Sequence, residues 1–136
     1  MVRKAADGSL EIDPDNYKRY TPYVHLIEGL NSQAIAKFYF HFYPLLQEAY
    51  ANLGYKSAYF NDRVIAVIDE LLATPDVSGP VKLIQPSVFY KYKDPRLESL
   101  SAGQRLLIRI GSDNSAKIKV KLRELRAALT KHTAPN

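Results

Sequence analysis

The stretch KFYFHFYPLLQEAYANLGY, residues 37–55, contains seven aromatic rings, a histidine and a proline. Apolar residues recur through it and just before it at three- and four-residue intervals, at Ile35, Phe38, Phe42, Leu45, Ala49 and Leu53. This spacing is typical of one helix face, whereas a proline within a strand would remove a ladder hydrogen bond. We therefore predict a helix from Ser32 to Leu53, bent at Pro44 and ended by Gly54, with this apolar stripe at the centre of the core.

Capping and helix-breaking residues predict the neighbouring helices. The Asp-Pro pair at 13–14 and the Thr-Pro pair at 21–22 are both typical of helix starts. We expect one short helix to about residue 20 and a second to about residue 29. Asn61 or Asp62 is expected to cap a further helix, which Pro75 ends.

In the second half of the chain we predict an irregular region followed by two helices. Residues 76–95 are rich in proline and are expected to form a loop with a small strand or a single helical turn. Two helices then follow, joined at Gly111, with Asp113 as the cap of the second. The segment KIKVKL, residues 117–122, alternates like a strand, but the wider window has helical spacing.

These elements predict an all-α fold, a compact single-domain bundle of about six or seven helices with a short irregular or extended segment near residues 76–95. The length of 136 residues suits one globular domain. We expect residues 1–12 to be a flexible lead-in, residues 13–131 the helical domain and residues 132–136 a disordered tail.

Several classes of chemistry are excluded by composition. The chain has no cysteine, which excludes disulfides, thiolate catalysis and cysteine-ligated metals. The histidines, His25, His41 and His132, lack metal-ligand spacing. We expect no metal and no cofactor. No apolar run is long enough to cross a bilayer, and the first residues lack a signal peptide's apolar stretch.

Two functional alternatives rest on charged residues. An envelope hydrolase would use His41 with Asp62, Asp69 or Glu70 as acid and base. Nucleic-acid binding would use the basic C-terminal third, because residues 101–136 carry eight Lys and Arg residues against two acidic ones. The basic residues of the last helix flank its apolar stripe on both sides, which favours an ordinary solvated helix over a nucleic-acid surface.

Tyrosines are the remaining candidates for a binding surface. The chain has 10 of them, eight within the first 60 residues. Tyrosine is typical both of the boundary between core and water and of protein docking surfaces. The candidate binding residues are Tyr17, Tyr20, Tyr39, Tyr43 and Tyr90.

Five motifs in series resemble a known bacterial family. They are PDNYKRYTPYV, FYPLLQEAYANLGY, YFNDRVIAVIDELLATP, SGPVKLIQPSVFYKYKDPRLESLSAGQRLLIRIGSDN and AKIKVKLRELRAAL. In this order and spacing, from about Pro14 to Leu129, the chain is similar to the family of domain of unknown function 3014. The resemblance implies no activity, ligand or catalytic residue.

The resemblance does imply a cellular setting. Members of the family look like proteobacterial proteins with one N-terminal transmembrane helix, a proline-rich linker and this domain. The expected location is therefore the periplasm, tethered to the inner membrane, with the present chain as the excised soluble domain. We expect a non-catalytic binding or scaffolding module with a protein partner in the cell envelope, an enzyme being the less favoured alternative. The oligomeric state is left open.

Overall fold

The computed structural model describes the backbone of residues 1–133 and the side chains of residues 1–131. The described chain is mostly helical, at 61%. Its helices are α1 (Asp15–Glu28), α2 (Ser32–Asn52), α3 (Phe60–Leu72), α4 (Pro95–Glu98), α5 (Ala102–Arg109) and α6 (Ser112–Thr133). Its strands are β1 (Val2–Lys4), β2 (Leu10–Ile12), β3 (Lys82–Ile84) and β4 (Lys91–Tyr92). Within the predicted tail, 132 and 133 continue α6, and 134–136 lie outside the described residues.

The four strands form one antiparallel sheet in the order β1-β2-β3-β4. The predicted helical content is confirmed, but the fold is not purely α-helical, and residues 1–12, expected to be a flexible lead-in, supply two of the strands. The sheet gives little local signal, because each strand has two or three residues and β2 pairs with β3 about seventy residues further along, at Leu10 and Leu83. The strand expected within residues 76–95 is confirmed as β3 and β4.

The two faces of the sheet differ in polarity. On the inner face Ile12, Leu83 and Tyr92 are buried against Ile108 of α5. On the other face Glu11 lies between Arg3 and Lys82, whose nitrogens are 2.8 and 3.0 Å from its carboxylate oxygens. Hydrogen bonds from Lys82 and then Arg3 hold the pKa of the Glu11 carboxyl below its usual value. The sheet is thus joined across strands by apolar contacts on one face and ion pairs on the other.

Helix α1 is continuous, so the predicted division into two short helices is wrong. Pro22 lies inside it, which costs a helix about 3 kcal/mol through the lost N–H and the steric clash of the ring. Tertiary packing outweighs that cost: α1 contacts α6, and Val24 is buried beside Ile118 of α6 in a cluster with Leu107 of α5. The helix begins one residue later than predicted, at Asp15 with Pro14 in the cap position, and Asp13 Oδ1 accepts a hydrogen bond from the Asp15 N–H at 3.0 Å.

Helix α6 is the central element of the fold and contacts α1, α2, α3 and α5. Residues 117–122 lie within it, which confirms the helical interpretation of that alternating segment. The joint at Gly111 is also confirmed: its φ is +95°, and a Cβ there would lie 2.7 Å from the Tyr17 ring. Asp113 lies within the first turn of α6 instead of preceding the helix, so its prediction as the cap is wrong.

Helix α2 confirms the predicted helix but reverses its predicted faces. The expected stripe is largely exposed: Phe38 is 67% exposed, Phe42 39%, Leu45 63% and Leu53 76%. The opposite face packs against α3 and α6, with Ala36 fully buried beside Ile68 and Leu129. The prediction that the stripe forms the centre of the core is therefore wrong. The bend at Pro44 remains a prediction.

Side chains from the inner face of α2 cap the start of α3. Tyr43 Oη accepts a hydrogen bond from the Asn61 N–H at 3.0 Å, and Gln47 Oε1 accepts one from the Phe60 N–H at 2.7 Å. The Tyr39 hydroxyl donates to Asn61 Oδ1 at 2.9 Å. Asn61 and Asp62 are therefore not the caps predicted for this helix: α3 begins at Phe60, and its first N–H groups are satisfied from α2.

Basic residues of α6 hold the ends of other helices. Lys121 is buried, and its Nζ donates to the Leu30 carbonyl just after α1 and lies 3.2 Å from a Glu124 carboxylate oxygen. Lys119 Nζ donates to the Thr74 carbonyl just after α3. A lysine ammonium beside a helix C-terminus interacts favourably with the helix dipole. The ammonium groups of Lys119 and Lys121 therefore bind backbone carbonyls within the fold.

Candidate functional site

A half-open cleft of about 410 Å³ lies where the sheet meets α1 and α5. Val2, Ile12 and Leu83, from the apolar face of the sheet, line one part of it. Residues of α1 and α5 form one side, and the turn between β3 and β4 forms the other. A volume of this size suits a small molecule or a few side chains of a partner.

Positive charge dominates the lining of the cleft. Arg19 comes from α1, Arg105 and Arg109 from α5, and Lys91 from β4, against a single carboxylate, that of Glu98. Glu98 pairs with Arg105, at 3.1 Å. Within residues 1–131, Arg19, Lys91 and Arg109 make no ion pair. Since these three are also exposed, the cleft presents uncompensated cationic groups to an incoming ligand.

Hydrogen bonds of Glu98 and Tyr92 join β4 to α4 and α5 at the cleft. Glu98 Oε2 accepts a hydrogen bond from the Tyr92 N–H at 2.9 Å, while its Oε1 accepts one from Arg105. The Tyr92 hydroxyl donates to the Arg105 carbonyl at 2.7 Å. Burial raises the pKa of the Tyr92 hydroxyl, so the group stays protonated. These bonds fix α5 against β4, which holds the two arginines of α5 in place.

Aromatic rings from α1 and from the β3–β4 turn also line the cleft. Tyr20 of α1 is half-buried, and Phe89 and Tyr90 of the β3–β4 turn are exposed. Arginine guanidiniums and aromatic rings in one cleft offer both charge recognition and flat apolar contact. The arrangement is suited to an anionic group attached to an apolar body.

The five tyrosines predicted as binding residues divide into two groups. Tyr20 and Tyr90 line the cleft. Tyr17 packs on Gly111, while Tyr39 and Tyr43 hydrogen-bond the start of α3. Burial, and then the neighbouring Tyr43, raises the pKa of Tyr39 to about 12. The structure therefore places three of the five in supporting positions and two in one candidate site, where their role in binding remains a prediction.

The residues of the predicted acid and base pair are not brought together. His41 is exposed and contacts Phe42 edge to face, at 4.8 Å between ring centroids. Asp69 pairs with Arg126 at 2.6 Å, and that arginine holds the pKa of the Asp69 carboxyl below its usual value. Asp62 and Glu70 are exposed on α3. Over residues 1–131 no hydrogen bond joins His41 to a carboxylate, and none of these four lines the cleft.

Sequence reasoning counted Arg105 and Arg109 within the basic C-terminal third but did not single them out, and it did not predict the cleft. It directed attention to the basic C-terminal helix, where Lys119, Lys121 and Arg126 are bonded within the fold. Arg105 and Arg109 are separated by one helical turn, so they share a face of α5. That spacing was the available signal, but nothing in it indicated Arg19, which lies 86 residues earlier.

Neither a metal site nor a membrane span emerges from the described part of the chain. No group of three or more His, Asp or Glu side chains is positioned to hold a metal ion there. None of the helices so described combines the length and apolar character needed to cross a bilayer.

A small helical domain with a short antiparallel sheet and a basic, tyrosine-lined cleft is the class of protein that the fold and the site define. The sequence profile described as "Protein of unknown function (DUF3014)" matches residues 1–126. The chain therefore belongs to this family, in agreement with the resemblance noted in its motifs. Neither the curated proteins nor the solved structures provide a significant match.

Proposed function

We propose that this chain is a non-catalytic binding module that takes an acidic segment of a protein partner into the cleft between the sheet, α1 and α5. The observation that carries the proposal is the set of cationic groups that make no ion pair within residues 1–131, Arg19, Lys91 and Arg109, around one cleft of about 410 Å³. Guanidinium groups bind carboxylates with two parallel hydrogen bonds, which fixes the orientation of the bound group.

The rest of the lining supports a peptide as the occupant. The apolar side chains of the sheet and the rings of Tyr20, Phe89 and Tyr90 offer surface to side chains that flank an acidic residue. The turn that carries Phe89 and Tyr90 connects the paired strands β3 and β4. A loop on such a scaffold can present side chains to a ligand while the strands stay in place. A cleft of this size accepts a few side chains of an extended segment, not a folded surface.

The proposed setting is the bacterial cell envelope. Family resemblance supports a protein in which an N-terminal transmembrane helix and a proline-rich linker tether this domain to the inner membrane, with the domain in the periplasm. A fusion of alkaline phosphatase to the C-terminus of the full-length protein tests this setting, because the enzyme is active only after export. An inactive fusion that is stably expressed contradicts the periplasmic location.

The ligand class is tested with a fluorescein-labelled peptide of repeated Glu and Leu residues, followed by fluorescence anisotropy. The double variant Arg19→Glu, Arg109→Glu is expected to bind about tenfold more weakly or worse, equivalent to at least about 1.4 kcal/mol. A matched control, Arg63→Glu with Arg123→Glu, makes the same charge change at exposed positions outside the cleft. It is expected to keep the parent affinity within about twofold, because distant surface charges are screened.

Two results contradict the proposal. One is equal weakening in the cleft variant and the control, which would indicate attraction by net charge alone. The other is equal binding of a Lys and Leu peptide.

The natural partner is then sought in cells by replacing Tyr90 with a photo-reactive amino acid in the full-length protein. Its crosslinks are compared with those from the same replacement at Tyr59, which is exposed and lies outside the cleft.

A further inference from the structure

The outer face of α2 carries an exposed apolar stripe that the fold does not use. Its members are Ala34, Phe38, Phe42, Leu45, Ala49 and Leu53, all of them exposed. They span about 28 Å of helix and lie within about 100° of each other on a helical wheel. The Phe38 and Phe42 rings contact each other, with centroids 4.7 Å apart. A continuous apolar surface of this kind marks an interaction site.

We propose that the stripe pairs with the same stripe of a second copy of this chain, the two α2 helices running antiparallel about a two-fold axis. In the register that sets Phe42 opposite Leu45 of the second copy, Phe38 lies opposite Ala49 and Leu53 opposite Ala34. Each large side chain then meets a smaller one. Such self-complementarity is the requirement of an interface between two identical surfaces.

Charge complementarity supports the same pairing. Lys37 and Glu48 are exposed along one flank of the stripe, about 20° apart on the wheel. Neither makes an ion pair within residues 1–131, and their separation of about 16 Å along the axis keeps them apart in one chain. The two-fold axis sets this flank against itself in reverse, so Lys37 of each copy faces Glu48 of the other. A parallel pair would instead set this flank against the opposite flank of the other copy, so Lys37 would not meet Glu48.

Sedimentation equilibrium of the full chain over a concentration series tests the surface. The parent protein is expected to dimerise, and the variant Phe38→Ser, Phe42→Ser is expected to be monomeric with an unchanged circular dichroism spectrum. Its matched control, Leu26→Ser with Val88→Ser, removes exposed apolar groups outside both the stripe and the cleft and is expected to dimerise. A monomeric parent, or a dimer that survives loss of the phenylalanines, overturns the proposal.

A charge exchange tests the register. Lys37→Glu is expected to weaken dimerisation about tenfold, because two ion pairs become two repulsions. Adding Glu48→Lys is expected to restore the parent affinity, since the pairs re-form with reversed sign. Failure of the second change to restore affinity overturns the antiparallel arrangement.

The direction of the helices is tested by distance. The chain has no cysteine, so Gln33→Cys accepts a single nitroxide label at an exposed position. The proposed register places the two labels about 30 Å apart along the axis, whereas parallel helices would hold them within about 15 Å. The shorter distance overturns the proposal. No residue of the stripe lines the cleft, so these results leave the proposed peptide site untouched.

Discussion

The two faces of α2 are both aromatic, yet two tyrosines, Tyr39 and Tyr43, lie with Phe40 on the core side, while Phe38 and Phe42 face solvent. Tyr39 and Tyr43 are half-buried and hydrogen-bond the start of α3, while Phe38 and Phe42 have no place in the packed clusters. Hydrophobicity alone would give the opposite arrangement. The difference shows that a buried hydroxyl with a partner can serve better than an apolar ring, because the N–H groups at the start of α3 need acceptors.

The largest change in stability is expected from removing an aromatic ring on the core side of α2, in comparison with a ring on its solvent side. Tyr39→Ala is expected to lower the free energy of unfolding by about 2–3 kcal/mol, because it opens a cavity and leaves Asn61 without its partner. Phe38→Ala, at the adjacent position, is expected to change it by less than about 0.5 kcal/mol. Urea unfolding at low protein concentration, where association does not contribute, measures both. Equal losses from the two variants would contradict the assignment of Tyr39 to the core side and of Phe38 to the solvent side.

A smaller effect is expected from removing the hydroxyl alone. Tyr43→Phe keeps the ring but loses both the donor to Gln47 and the acceptor for the Asn61 N–H. The expected loss is about 1–2 kcal/mol in the free energy of unfolding, and Tyr59→Phe, at a hydroxyl exposed to water, is expected to change it by less than about 0.5 kcal/mol. A neutral result for Tyr43→Phe would mean that ring packing, not capping, orients this face.

The smallest change in stability is expected from lowering the pH, through the Glu124 carboxylate that bonds Ser32 at the start of α2. The Ser32 hydroxyl and then Lys121 hold the pKa of the Glu124 carboxyl below its usual 4.5. A lowered pKa stabilises the fold above the unfolded value, and that contribution is lost as pH falls from about 4.5 through the folded value. Glu124→Gln is therefore expected to lose less stability than the parent below that pH, as followed by thermal unfolding. Glu48→Gln, on the outer face, serves as the matched control, and identical profiles for the two variants would remove the role assigned to Glu124.

Local spacing predicted the helices well and their orientation poorly. The three- and four-residue pattern through Phe38 and Phe42 correctly indicated a helix, but Ala36, Tyr39 and Tyr43 follow the same spacing on the other side. The choice between the two faces depends on Asn61, which lies on another helix. No periodicity within α2 contains that information.

Non-local pairing explains what else the sequence did not predict. The sheet joins Leu10 to Leu83 through strands of three residues, too short for alternation to be recognised. The cleft likewise combines Arg19 with Arg105 and Arg109 from distant parts of the chain. Two of the five predicted tyrosines line that cleft, because tyrosines at the boundary of core and water tend to border any concave surface.

Glu98 also affects how the β4 edge of the sheet can associate with other molecules. Strand β4 is at the edge of the sheet, and the Tyr92 N–H, which would otherwise be free to pair with a strand of another molecule, is bonded to the Glu98 carboxylate at 2.9 Å. Open edges invite uncontrolled strand addition and fibrous aggregation. With that amide bonded within the chain, extension of the sheet along β4 is disfavoured, and a neighbouring molecule at this edge would contact side chains more readily than backbone.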